Sequence, residues 1–250
     1  MRIYTARELD QTKFPDEPWL IYPTLRRGSN WLVGGKPDSN KSLTLQQLCL
    51  YACRGEDYLF WRVDKPVSIL YVNADDNERD VQERLRSLNT IGGPLPENLH
   101  LICQPGITLT PSGVDEFLRW TREIDPDIVI IDHMAAFVNG GTTDCAGMQM
   151  YNNLITTIMR MGKGVISIGH FNKDNKDNKD EPDGNRIAGL ESVRAYHHTI
   201  TTQRLFYQTP LIEKYNLSLF RTKHFKNKPF EVKKLVKDKS DPRLTWIREG

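Results

Sequence analysis

WLVGGKPDSNKSLTLQQLCLYACRG, residues 31–55, changes its periodicity at Lys41. Ahead of that point Trp31, Leu32 and Val33 form an apolar run ending in two glycines, which reads as a buried strand. Beyond it Leu43, Leu45, Leu48, Cys49, Ala52 and Cys53 recur at helical spacing, and Gly55 supplies a stop. The turn between them, GGKPDSNKSL (34–43), differs by one residue from a phosphate-binding loop. Gly35, Lys41 and Ser42 fall in register with Gly, four residues, Gly, Lys, Ser or Thr, while Asn40 takes the place of the second glycine. Such a loop works because backbone N–H groups at a strand-to-helix turn point at phosphates, the Lys reaches the terminal phosphates and the hydroxyl meets magnesium. The candidate nucleotide-binding residues are therefore Gly35, Lys36, Pro37, Asp38, Ser39, Asn40, Lys41 and Ser42, with Ser42 also a magnesium ligand.

Outward from this stretch the chain alternates. Strands are expected in PVSILYVNADD (66–76), LHLICQ (99–104), DIVIIDHM (127–134) and GVISIGHF (164–171); helices in NERDVQERLRSLN (77–89), VDEFLRWTREI (114–124) and MQMYNNLITTIMRMG (148–162). Strand then helix, repeated, predicts an α/β domain with a mostly parallel twisted sheet and helices on both faces. IVIID is the most β-branched strand, as a central strand buried on both faces should be. The alternating segment 216–236 predicts an antiparallel hairpin closing one sheet edge. Residues 1–30, rich in Pro and aromatics, form an extension that packs on the core domain, 31–250. NKDNKDNKDEPDGN (172–185) has almost no apolar content and is expected to be a mobile loop.

Composition narrows the class. No apolar run approaches the ~20 residues of a membrane span, and the polar start MRIYTARELDQTK lacks a signal-peptide core, so a soluble, cytoplasmic protein without membrane contact is expected. Cys49, Cys53, Cys103 and Cys145 form no CxxC pair, and His197-His198 has no third ligand nearby in sequence, so neither a disulfide framework nor a zinc site is signalled. Net charge is only +2, but residues 213–239 carry nine Lys/Arg against three acids, making the C-terminal part the basic end.

A second motif joins the first. IVIIDH ends its strand in Asp132, about 90 residues beyond Ser42, where a carboxylate can hold magnesium beside the loop. With both in place the chain resembles the RecA-like hexameric helicase ATPases of the plasmid replication type (RepA-like, related to DnaB and KaiC). The resemblance runs from about residue 18 to about residue 229, through PWLIYPTLRRGSNWLVGGKPDSNKS, LYVNADDNERDVQERL, DPDIVIIDHMAAF, GVISIGHFNKD and RIAGLESVRAYHHTI. It implies ATP and Mg2+ as cofactors, a homo-oligomeric ring or filament, single-stranded DNA as partner, and helicase-like work in replication or in plasmid or phage DNA metabolism. It also implies roles. Asp75, with Asp76 beside it, stands where the family has the carboxylate that activates water; Lys41 completes the catalytic set, and His170 and Asn172 match γ-phosphate sensors. Arg221, Lys223 and Lys226 are the candidates for a basic finger reaching a neighbour's nucleotide. The loops after residues 138 and 171 and the basic C-terminal hairpin are the nucleic-acid candidates, with Phe171, Lys173, Lys176 and Lys179 in the second loop.

The departures from the pattern are Asp38 and Asn40 in place of glycine, an Asp in place of Glu at 75, AGL at 188–190 and Gly169 ahead of His170. Asn and Asp are the non-glycine residues that best tolerate a left-handed turn, but their side chains occupy space that phosphates need, and the Asp38 carboxylate adds repulsion. Two further readings therefore stand beside the helicase-like one: a recombinase-like ATPase that coats single-stranded DNA, and a scaffold that keeps the fold without hydrolysing ATP.

Overall fold

The structure is a computed structural model that describes residues 3–13, 18–36, 39–89, 92–103, 108–138, 144–170, 199–208, 212–221, 231–238 and 246–248. In chain order the elements are α1 (Ala6–Gln11), β1 (Trp19–Ile21), β2 (Leu25–Arg26), β3 (Asn30–Gly35), α2 (Lys41–Ala52), β4 (Ile69–Asn73), α3 (Glu78–Leu88), β5 (Leu99–Cys103), α4 (Pro111–Ile124), β6 (Ile128–Asp132), α5 (Met134–Phe137), α6 (Cys145–Arg160), β7 (Gly164–His170), β8 (Thr199–Gln208), β9 (Ile212–Arg221), β10 (Glu231–Asp238) and β11 (Trp246–Arg248). Nine strands form one sheet in the order β11-β10-β9-β8-β3-β7-β6-β4-β5. From β8 to β5 every pairing is parallel; from β8 outward to β11 every pairing is antiparallel.

The alternation of side chains along each strand explains why the centre is apolar on both faces. Trp31, Val33, Ile69, Tyr71, Ile128, Ile130, Ile166 and Ile168 point to one face, where Leu45, Leu48 and Cys49 of α2 cover them. Leu32, Leu70, Val72, Val129, Ile131 and Val165 point to the other, under Phe117 of α4, Phe137 of α5 and Leu154, Ile155 and Ile158 of α6. A smaller cluster, Leu50 with Val81, Leu85 and Leu88, seats α3 against α2. Each fully buried Leu, Ile or Phe contributes about 1.5–3 kcal/mol of transfer free energy, so the strands hold the helices without special devices.

The segment before β3 packs without joining the main sheet: β1 and β2 form a separate two-stranded ribbon. Leu20 and Leu25 reach Gly164 so closely that a Cβ there would lie 2.8 Å from a terminal methyl of each and would push both aside. Arg27 pairs with Asp127, anchoring the ribbon beside β6. Cys49 and Cys53 are buried, and burial pushes the Cys53 thiol up to about 12, so it stays protonated.

Differences from the sequence reading are local. Strands β9 and β10 carry the 216–236 alternation and pair antiparallel, but β11 lies outside them and forms the edge. Strand β8, TITTQRLFYQ, has no clean alternation to announce it. Helix α1 is six residues held by a Thr5/Glu8 capping box, with none buried, and α5 is a single turn. Among the described residues no helix is long and apolar enough to cross a membrane. The expected mobile loop, 172–185, lies outside the described residues.

Candidate active site

Parallel register gathers the chemistry at one end of the sheet. Gly35 is paired with His170 across β3 and β7, and Asn73 with Asp132 across β4 and β6, so all four strands release their chains on the same side. There a cleft of about 320 Å³ opens, lined among others by Lys41, Ser42, Asp75, Asp132, His133 and His170.

The strand-to-helix turn forms with Asn40 in the left-handed region (φ 60°, ψ 28°), the conformation that glycine supplies most easily. Its side chain donates from Nδ2 to Glu213 Oε2 on β9 at 3.2 Å. Lys41, 5 % exposed, donates from Nζ to the Lys36 carbonyl at 2.6 Å and lies 3.4 Å from Ser39 Oγ, so the loop is folded around its own lysine. Every other helix begins with a side-chain cap: Thr5, Asn77, Thr110, His133 and Asp144 accept from the first turns of α1, α3, α4, α5 and α6. Among the described residues, Asn40 at the start of α2 makes no side-chain cap bond. The positive end of its dipole is thereby turned to the cleft, the arrangement that suits an anion.

Asp132 supplies the opposing charge. It is fully buried, and burial pushes its carboxyl above the ordinary range; hydrogen bonds from the Tyr71 and Ser42 hydroxyls pull it back, as does neighbouring His133, while Asp75 pushes it up. The Tyr71 hydroxyl donates to Oδ2 at 2.5 Å. A hydroxyl and a carboxylate in contact, in a site that disfavours an uncompensated negative charge, are a donor set that fits Mg2+. Among the described residues no group of three His, Cys, Asp or Glu forms a closed metal cage. Magnesium takes one or two protein oxygens and completes its shell with phosphate and water.

The bend after β4 carries Asp75 and Asp76. The Asn73 Oδ1 accepts from both their backbone N–H groups, at 2.9 and 2.8 Å. Asp76 then turns to Arg84 (2.7 Å), and that guanidinium hydrogen bond holds its carboxyl below the ordinary range. Asp75 meets His133 Nε2 at 3.0 Å, and the His133 ring packs edge-on against His170, centroids 4.5 Å apart.

Thus Lys41, Ser42, Asp75, Asp132 and His170 come together around one cleft, with Gly35, Lys36, Ser39 and Asn40 forming the described part of the loop. Pro37, Asp38, Phe171, Asn172, Lys173, Lys176, Lys179, Lys223 and Lys226 lie outside the described residues, and Arg221 ends β9. The residues that sequence reasoning missed are Tyr71, His133, Arg84 and Glu213. His133 directly follows Asp132 and so has no spacing of its own to flag it. Tyr71 reads as one more apolar strand residue.

A family model described as an AAA domain matches residues 4–176, well over half of the chain. The chain belongs to the AAA domain family. The AAA domain match takes in both phosphate-loop and Asp132 motifs. Among solved structures, a KaiC-like protein from the hyperthermophilic archaeon Pyrococcus horikoshii OT3 superposes with a TM-score of 0.60 at 13 % identity, covering 92 % of this chain and 94 % of that one. At that identity the likeness is one of fold: a RecA-like P-loop ATPase fold. No curated protein matches the chain.

Proposed function

We propose that this AAA domain binds ATP with Mg2+ in the cleft and hydrolyses it as a homo-oligomer engaged with single-stranded DNA, doing helicase-like work in replication or mobile-element DNA metabolism. The observation that carries the reading is the contact of Ser42 with buried Asp132 beside the uncapped start of α2. Ser42 and Asp132 would hold the magnesium ion, which neutralises charge on the terminal phosphates. Lys41 leaves the Lys36 carbonyl and carries its charge to the β- and γ-phosphates. Asp75 orients a water and takes its proton as the water oxygen bonds the γ-phosphorus and the bridging P–O bond breaks. His170, at the end of β7, donates to the γ-phosphate. Phe171, Lys173, Lys176 and Lys179 contact DNA phosphates and bases, and one of Arg221, Lys223 and Lys226 reaches a neighbouring subunit's nucleotide.

A second reading, a non-hydrolysing scaffold, is favoured by two contacts that close the loop on the protein itself, Lys41 on Lys36 and Asn40 on Glu213. ATP binding and turnover with magnesium, with and without single-stranded DNA, beside Lys41→Ala and a sedimentation measurement of assembly, separate them. DNA-stimulated turnover lost in Lys41→Ala supports the motor. A folded, assembled chain without binding or turnover overturns it in favour of the scaffold.

A further inference from the structure

Asp75 is a short side chain on a bend. Its backbone is fixed by Asn73, but its side chain is 48 % exposed, and its carboxylate meets His133 Nε2 at 3.0 Å. His133, in contrast, is 17 % exposed and fixed on three sides. It stands directly after Asp132 at the junction of β6 and α5; its ring rests on His170; and its Nδ1 accepts from the Ala136 N–H at 3.2 Å, capping α5. An imidazole nitrogen that accepts from a backbone N–H bears no proton, so the ring proton sits on Nε2. His133 is therefore placed to donate from Nε2–H to Asp75 Oδ2 while its Nδ1 is engaged by the start of α5.

We propose that His133 is the positioning residue of the site: its Nε2–H holds the Asp75 carboxylate in one rotamer and leaves Oδ1 to orient the attacking water. This rests on the reading of Asp75 given above. Because the hydrogen bond is made to an ionised partner it restricts the carboxylate more strongly than a neutral bond would, and a misplacement of about 1 Å in a catalytic group costs on the order of 100-fold in rate. The histidine meets Oδ2 and so does not compete with water for Oδ1. The ring contact to His170 gives the same imidazole a second task, keeping the two sides of the γ-phosphate position at a fixed distance.

The test compares kcat and KM for ATP in the full chain and in His133→Ala, His133→Gln, Asp75→Asn and the double variant His133→Ala/Asp75→Asn. His133→Ala is expected to lower kcat by about 10- to 100-fold with KM changed less than about twofold. His133→Gln, whose amide can present an N–H near the position of Nε2, should recover most of that loss. The double variant should be no slower than Asp75→Asn alone, because two residues acting as a unit do not lose activity twice. Unchanged kcat in His133→Ala, equal loss in the Gln and Ala variants, or multiplied losses in the double variant overturns the proposal. If Asp75→Asn itself turns over normally, the assignment of Asp75 fails first and takes this inference with it. Nitrogen NMR of the imidazole in the unsubstituted chain reads the same point whether or not a variant folds: a protonated Nε2 is expected, and a protonated Nδ1 overturns it.

Discussion

Tyr71→Phe removes one oxygen atom from the interior and changes almost nothing else. The hydroxyl donates to Asp132 Oδ2 at 2.5 Å, and both residues are buried, at 1 % and 4 % exposure. A hydrogen bond to a buried ionised acceptor contributes about 1.5–3 kcal/mol. Burial already raises the Asp132 carboxyl and the Tyr71 bond lowers it, so the substitution drives it further up. An acid whose folded value is raised contributes stability below the ordinary carboxylate value and loses it as pH rises through the folded value. Tyr71→Phe thus deepens the cost of keeping Asp132 charged at neutral pH. The ligand-free variant should lose about 1.5–3 kcal/mol near neutrality, a fall in Tm of about 2–4 °C per kcal/mol for a chain of this size. In acid, where Asp132 is protonated, only a neutral bond is lost, worth about 0.5–1.5 kcal/mol. Urea unfolding at both pH values measures the difference, and magnesium titration should show weaker affinity in the variant because a proton competes more strongly for the carboxylate. A loss that is equal at both pH values, with unchanged magnesium affinity, refutes the reasoning.

Asn40 offers a second test, because its backbone and its side chain contribute separately. Asn40→Ala forfeits the bond to Glu213 and places an alanine in the left-handed region, at about 1–2 kcal/mol, whereas Asn40→Gly forfeits the bond alone. The Gly variant should be more stable than the Ala variant by about 1–2 kcal/mol in urea; equal midpoints would mean the turn relaxes. Arg84→Met frees Asp76, whose carboxyl lies below the ordinary range because of that guanidinium. Stability from a lowered acid is present above the ordinary carboxylate value and disappears as pH falls through the folded value, so Arg84→Met should lose about 1 kcal/mol at neutral pH and converge on the parent in acid. A constant gap across that range would assign Arg84 a packing role only.

The parts of the molecule with a period were legible in the sequence. Strands β3, β4, β6 and β7 are continuous apolar runs, and α3, α4 and α6 carry regular apolar faces, so their order gave the parallel α/β class before any coordinates. What escaped was non-periodic. Strand β8 breaks its alternation at Thr201 and Thr202, α5 is too short for a pattern, and α1 is held by a capping box and not by burial. The site divides in the same way. Lys41, Ser42 and Asp132 carry motif spacing, but the partners that set their chemistry arrive through register. Tyr71 meets Asp132 because β4 and β6 are paired with Asn73 opposite Asp132, and Glu213 meets Asn40 from a strand 173 positions away. Single-sequence spacing contains no register, so these contacts were invisible to it.

The Asn40–Glu213 bond also bears on the order of events during synthesis. Most of the apolar surface of strands β3 to β7 and their helices is buried among residues that precede β9, with Leu217 the β9 member of that core. The phosphate loop, however, is tied to a carboxylate that leaves the ribosome 173 residues after Asn40. A nascent chain should therefore own a folded core before it owns a finished loop, and ligand competence should arrive late, coincident with docking of the C-terminal strands. The long-range tie would make the final geometry of this loop a late event of folding, set by the arrival of the C-terminal strands.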